Sequence, residues 1–220
     1  MFDKLVETSK KYFPELKVLY KDESVLMKVL KYLIFFNPKF STSFTTTFGN
    51  TIYFPSRAYV ASRDLSCSVV FLHELIHIYD SESHGFFQKL LFNISYVFPQ
   101  ILALLVIPLL FLVPWYFALI PLVFLAPLPA YWRMKSERKA YFISMYVMRQ
   151  MEIKTGVKYH IEDNKRYFTN QFRGPNYYFM WIFPGISKQF DAAWDKISNN
   201  QRPFEDEKLF NMIDEIIKTV

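Results

Sequence analysis

Hydrophobic positions recur three and four residues apart over Phe2–Tyr12 and again over Ser24–Phe35, which predicts two helices separated by Pro14. Glu15–Tyr20 between them predicts a short strand. Val29–Phe36 is apolar but broken by Lys31, and it reads as the end of a core helix. The pattern then changes. Ser43–Phe54 is rich in threonine and aromatics, with Gly49-Asn50 in its middle and Pro55 after it. That predicts a β-hairpin of Phe44–Phe48 and Thr51–Phe54. Asp64 or Ser66 can cap a largely apolar helix that runs to about Ser81, with Gly85 beyond it. Another helix is expected from Trp132 to about Met151, ahead of Gly156. Lys158–Pro184 is aromatic without a period and reads as irregular chain. Phe190–Ile197 and Pro203–Ile217 return to helical spacing.

One segment stands apart. From Leu90 to Trp132 there are 43 consecutive positions without Asp, Glu, Lys or Arg. A bilayer crossing takes roughly 17–25 apolar residues as a helix, so the stretch suits two short crossings and is too long for one. Val113-Pro114-Trp115 is the natural turn, leaving arms Ser95–Leu112 and Tyr116–Trp132. Tyr96, Trp115, Tyr116, Tyr131 and Trp132 lie near the arm ends, where interfacial aromatics belong. The fold expected is therefore mainly α with a small β-hairpin or sheet, interrupted by a two-helix transmembrane hairpin. The parts are 1–89, 90–132 and 133–220.

Charge sharpens this picture. The 220 residues carry a net charge of +6, with no long basic run and no nucleic-acid motif. An anionic membrane surface is the better match for that excess, and no nucleic-acid partner is expected. Lys89 precedes the apolar stretch, and Arg133, Lys135, Arg138 and Lys139 follow it. The positive-inside rule then places both flanking parts on the cytoplasmic side of an integral membrane protein. The N-terminal residues show no signal-peptide apolar core. Cys67 is the one cysteine, so no internal disulfide forms, and it reads as packing.

The chemistry resides in His73-Glu74-Leu75-Ile76-His77. On a helix, His73 and His77 share one face and can both reach one Zn²⁺ at about 2.0–2.1 Å. Glu74 is offset by about 100° and can act as general base without ligating the metal. A catalytic zinc keeps three protein ligands and one open position. Glu137, on the helix after the apolar stretch, is the best third ligand, with small Ala140 on its face; His84 and Asp80 are the alternatives. Asp80 shares the face of the two histidines and is a candidate outer-shell partner for an imidazole. His160, Tyr141, Tyr177 and Arg173 are candidate oxyanion donors. The Ser43–Phe54 hairpin is a candidate edge for an extended substrate.

A histidine helix followed by a helix opening on Glu, with a small residue three positions later, resembles the gluzincin metallopeptidases. The intervening apolar pair is similar to that of the HtpX-like membrane peptidases. The resemblance spans about residues 40–150 and rests on His73, Glu74, His77 and Glu137. It implies a zincin-like α+β fold, one zinc per chain, catalytic parts facing the cytosol, and protein or peptide substrates, membrane proteins among them. Tyr141 departs from it, standing where that family usually has Asp. The activity expected is zinc-dependent endopeptidase. The alternative is a membrane-anchored, non-catalytic zinc-binding adaptor or bilayer-perturbing protein.

Overall fold

The computed structural model describes residues 1–33, 40–82, 86–126, 128, 130–172 and 185–219. The chain is about 70% helical with one small three-stranded sheet. α1 (Phe2–Ser9) leads to β1 (Lys17–Tyr20) and α2 (Val25–Leu33). β2 (Thr46–Phe48) and β3 (Thr51–Phe54) form the expected hairpin. Gly49 takes φ +57° at the first loop position, the sign that a type II′ hairpin turn needs there. Strand order is β1-β3-β2, with β1 parallel to β3 and β2 antiparallel to it. β2 is therefore an edge strand.

α3 (Arg57–Ser62) follows, capped by the Ser56 hydroxyl, which accepts from Tyr59 N at 3.1 Å. α4 (Asp64–Glu82) is the histidine helix, and Phe71, Leu72, Leu75, Ile76 and Ile78 bury its apolar sides. Asp64 is not its side-chain cap as expected; its Oδ1 accepts instead from Phe2 N at 3.1 Å, joining α1 to α4. After α5 (Phe86–Val97), α6 (Val106–Leu112) and α7 (Trp115–Ala118) comes α8 (Tyr131–Thr155), the longest helix described. Gly156 ends α8 with φ +71°, and its N–H bonds Glu152 O, as a left-handed cap should. α9 (Ile161–Gln171), α10 (Ile186–Ser198) and α11 (Glu207–Lys218) complete the described chain. α9 corrects the expectation of irregular chain from Lys158 onward. Its inward positions are only Ile161 and Phe168, too few to show a period. Residues 173–184 lie outside the described residues.

The parts before and after the apolar stretch do not form separate cores. Phe2, Phe54, Phe71, Leu75, Ile143, Val147, Phe190, Phe210 and Ile213 belong to one buried cluster. α4 and α8 pack along each other at its centre. α2 is a second correction. Val29–Phe36 is expected to end a core helix, yet Val29 and Tyr32 stand in solvent, Tyr32 at 79% exposure, and residues 34–36 lie outside the described residues. Only Met27 is buried among its described side chains, in a small cluster with Phe40 and Tyr53 at the sheet margin.

The apolar stretch folds back on itself at Val113-Pro114, where expected. α6 packs on α7, and the 3-10 segments Gln100–Leu105 and Ile120–Leu125 pack on each other. Its arms are not the two continuous helices expected. Among the described residues no single helix is long and apolar enough to cross a membrane; Lys89–Val97 and Gln100–Leu112 pass that test only as a pair, bent by 87°. Proline is the cause. It lacks the N–H that continues a helix, and it pushes the preceding residue to extended backbone. Pro99 sits at the bend, Pro121 opens the second 3-10 segment, and Val113 before Pro114 is extended at φ −139°, ψ 163°. The stretch is not sunk in the protein core either. Phe111, Leu112, Trp115 and Leu125 are among many large side chains left exposed, Phe111 at 86%.

Candidate metal centre

α4 presents His73 and His77 one turn apart, with ring centroids separated by 5.3 Å. α8 lies against that face. Ser136, Glu137, Ala140 and Ser144 fall within an arc of about 100° on α8, and all four are buried. Ala140 has no solvent exposure, as a small residue between closely packed helices should. Glu137 Oε2 stands 3.3 Å from His73 Nε2, and Glu137 Oε1 stands 3.7 Å from His77 Nε2. One ligand atom from each of the three residues lies within 4.8 Å of the others. Four-coordinate zinc with bonds of about 2.0–2.1 Å sets neighbouring donors roughly 3.4 Å apart, which these separations approach.

The far nitrogens of both rings are engaged. His73 Nδ1 is 3.2 Å from Ser144 Oγ, and His77 Nδ1 is 3.2 Å from Ser136 Oγ. The Ser144 hydroxyl donates its own proton to Ala140 O at 3.1 Å. Its oxygen can also accept from His73 Nδ1–H, an arrangement that turns the Nε2 lone pair toward the Glu137 carboxylate. Nε2 and Glu137 Oε2, 3.3 Å apart in a buried site, need a hydrogen or a metal between them. His73 is 8% exposed and Glu137 5%. Burial resists charging His73, but the hydrogen bond and charge of Glu137, with help from Glu74, overcome it and raise the pKa. Burial pushes the Glu137 carboxyl up, and His77, His73 and Tyr96 together pull it down to about 2. The donor set fits zinc: two imidazole nitrogens and an ionised carboxylate, held by hydroxyls behind them.

The other expected residues divide. Glu74 is on the same helix, and its Oε2 accepts from Thr47 Oγ1 of β2 at 2.6 Å. Asp80 was expected behind an imidazole, but serine hydroxyls stand at both Nδ1 atoms. Its Oδ1 accepts from Lys139 Nζ at 2.6 Å, an ion pair tying α4 to α8. Tyr141 packs its ring 4.7 Å from that of His73, beside the site. His160 is not brought there. It stands at the N-cap position of α9 without a side-chain capping bond, and α9 packs along α8 so that Phe168, not His160, meets Tyr141. Eight residues of helix between them span about 12 Å. Tyr177, Arg173 and His84 lie outside the described residues.

Four contributors were not foreseen. Ser136 and Ser144 are legible in hindsight as hydroxyls one before and seven after Glu137 on one helical face. Tyr96, read as an interfacial aromatic, donates its hydroxyl to Glu137 Oε1. Lys21 is 3% exposed and donates to Phe40 O at 2.8 Å and Thr46 Oγ1 at 2.6 Å, in the field of Glu74. Burial lowers its pKa from 10.5 to about 8, against the raising effect of Glu74. The folded chain thus holds this proton less tightly than the unfolded chain does. Stability should rise with pH between about 8 and 10.5, by up to about 3 kcal/mol. Unfolding curves of wild type against Lys21→Met across that range check this; a constant difference would remove Lys21 as the source.

No family model matches the chain, and no curated protein or solved structure matches it either.

Proposed function

We propose that the chain is a membrane-anchored, zinc-dependent metalloendopeptidase. The observation that carries this reading is the convergence of His73, His77 and Glu137, with the two Nε2 atoms 3.3 and 3.7 Å from the carboxylate oxygens and a serine hydroxyl at each Nδ1. Those three residues would hold zinc. When bound, zinc supplies Lewis acidity, which acidifies water and polarises a peptide carbonyl. The chain's own residues do the rest. Glu74 accepts a proton from the attacking water and returns it to the leaving amine. Thr47 touches Glu74 from edge strand β2, so an extended peptide added to that edge would pass beside the carboxylate. Tyr141 is the candidate oxyanion donor that lies beside the histidines.

Zinc analysis and a cleavage assay test the reading together. Detergent-solubilised chain should hold one zinc and cleave an unfolded protein, stop on chelation, and recover on zinc return. A zinc-loaded chain that cleaves nothing across a broad peptide library would sink it.

The same reading lodges the apolar stretch in a bilayer with the flanking parts on the cytoplasmic side. Its support is the large apolar surface that the described residues of 87–132 leave exposed, which a water-facing monomer rarely carries. A Val113→Cys variant should react with an impermeant thiol reagent from the far side of sealed cells. Lys188→Cys should react only after permeabilisation. Cys67 is buried and stays silent. Equal labelling of both variants would refute the orientation.

A further inference from the structure

The chemistry above makes no use of Tyr96, yet few side chains are held more firmly at the centre. Its hydroxyl donates to Glu137 Oε1. Its ring meets the His77 ring edge-on at 5.9 Å. The Arg133 guanidinium lies over that ring at 4.9 Å, and Arg133 Nε donates to Tyr96 O at 3.2 Å. Tyr96 is thus gripped by α4 and by the first two turns of α8, the two helices that carry the three donors. It belongs to neither. It sits within the apolar stretch, in the last turn of α5, just before the chain bends by 87°.

A carboxylate with both oxygens unengaged can ligate through either or both, and it can rotate between these modes. A donor on one oxygen removes that freedom. We propose that Tyr96 is a positioning residue which the apolar segment supplies to the metal centre: by engaging Glu137 Oε1 it directs Oε2 toward His73 Nε2 and fixes the ligating edge of the carboxylate. This rests on the metal-centre reading above and deepens it. The structural consequence is a link between the seat of the apolar segment and the shape of the site, because any shift of the last turn of α5 withdraws the hydroxyl from Glu137.

Tyr96→Phe in the full chain keeps the ring and removes the donor. Zinc affinity is read by competition with a chromophoric chelator, and ligand geometry by the visible absorption of the Co²⁺-loaded chain. Loss of an outer-shell partner typically costs roughly 10–100-fold in metal affinity. Tyr96→Phe should fall in that range and alter the Co²⁺ spectrum, with helicity unchanged. Tyr146→Phe, which removes a hydroxyl bonded to Asp214, should do neither. Arg133→Gln keeps the hydroxyl but loosens its seat, and it should weaken zinc by a smaller factor. Wild-type affinity and spectrum in Tyr96→Phe overturn the proposal and leave the metal centre standing. So does equal weakening by Tyr146→Phe. If Tyr96→Phe does not fold, wild-type affinity in Arg133→Gln overturns it. A wild-type chain that binds neither Zn²⁺ nor Co²⁺ brings down both readings.

Discussion

His73→Ala and His77→Ala are each expected to leave the purified chain without zinc at concentrations where wild type is saturated. Each variant removes one of only three protein donors, and no described His, Cys, Asp or Glu stands in a second such group to replace it. The loss should exceed the roughly 10–100-fold that outer-shell changes cost. Ser144→Ala gives that smaller effect, since it frees Nδ1 without removing the ligand. A control is needed because His73→Ala also strips Glu137 of one of its partners. Breaking a buried charge pair destabilises by roughly 3–5 kcal/mol, so helicity of each variant must be checked alongside metal content. Acidity gives an independent reading. The metal displaces the proton that His73 holds against Glu137 in the metal-free chain. The raised pKa of His73 means that zinc affinity falls as pH drops through a point above the usual 6.5. Glu137, held at about 2, stays ionised throughout and adds nothing to that slope. Full zinc occupancy in both alanine variants would rule out this centre.

The contrast between His77 and Asp80 shows what a sequence can carry. Helical period alone places His73, His77 and Asp80 on one face, and it placed the histidines correctly. It could not show that Lys139, 59 positions away, would claim Asp80. Glu137 was legible because it stands on the helix after the apolar stretch with small Ala140 on its face, which lets that helix approach α4 closely. Tyr96 was not legible as part of the site. Its partner lies 41 positions away across an uncharged stretch, and hydropathy records only that the ring is aromatic. The same stretch shows the limit of hydropathy for shape. Continuous apolar sequence predicted two helices, while Pro99, Pro114 and Pro121 decided where the backbone could remain helical. α2 formed where its period predicts, but the burial expected of Val29 onward did not follow: apolar character reports affinity for a dry surface, and it does not say that this chain provides one.

Glu74→Gln is expected to separate enzyme from scaffold. The amide has nearly the shape of the carboxylate and can still accept from Thr47 Oγ1, so the contact between α4 and β2 survives. Glu74 is not among the three converging donors, so zinc content should match wild type. What disappears is the basicity. A positioned general base is worth roughly 10²–10⁴-fold in rate, and peptide hydrolysis should fall by that factor or more. Three measurements on one preparation decide the matter: zinc per chain, thermal unfolding, and cleavage of an unfolded protein in detergent. Normal zinc, normal unfolding and lost cleavage is the expected set. If Glu74→Gln cleaves as wild type does, Glu74 is not the base and the peptidase mechanism fails. If neither protein cleaves while both hold zinc, the centre holds a metal without turning over peptides. The membrane-anchored zinc-binding adaptor then takes the place of the enzyme, with the exposed apolar stretch as its working surface.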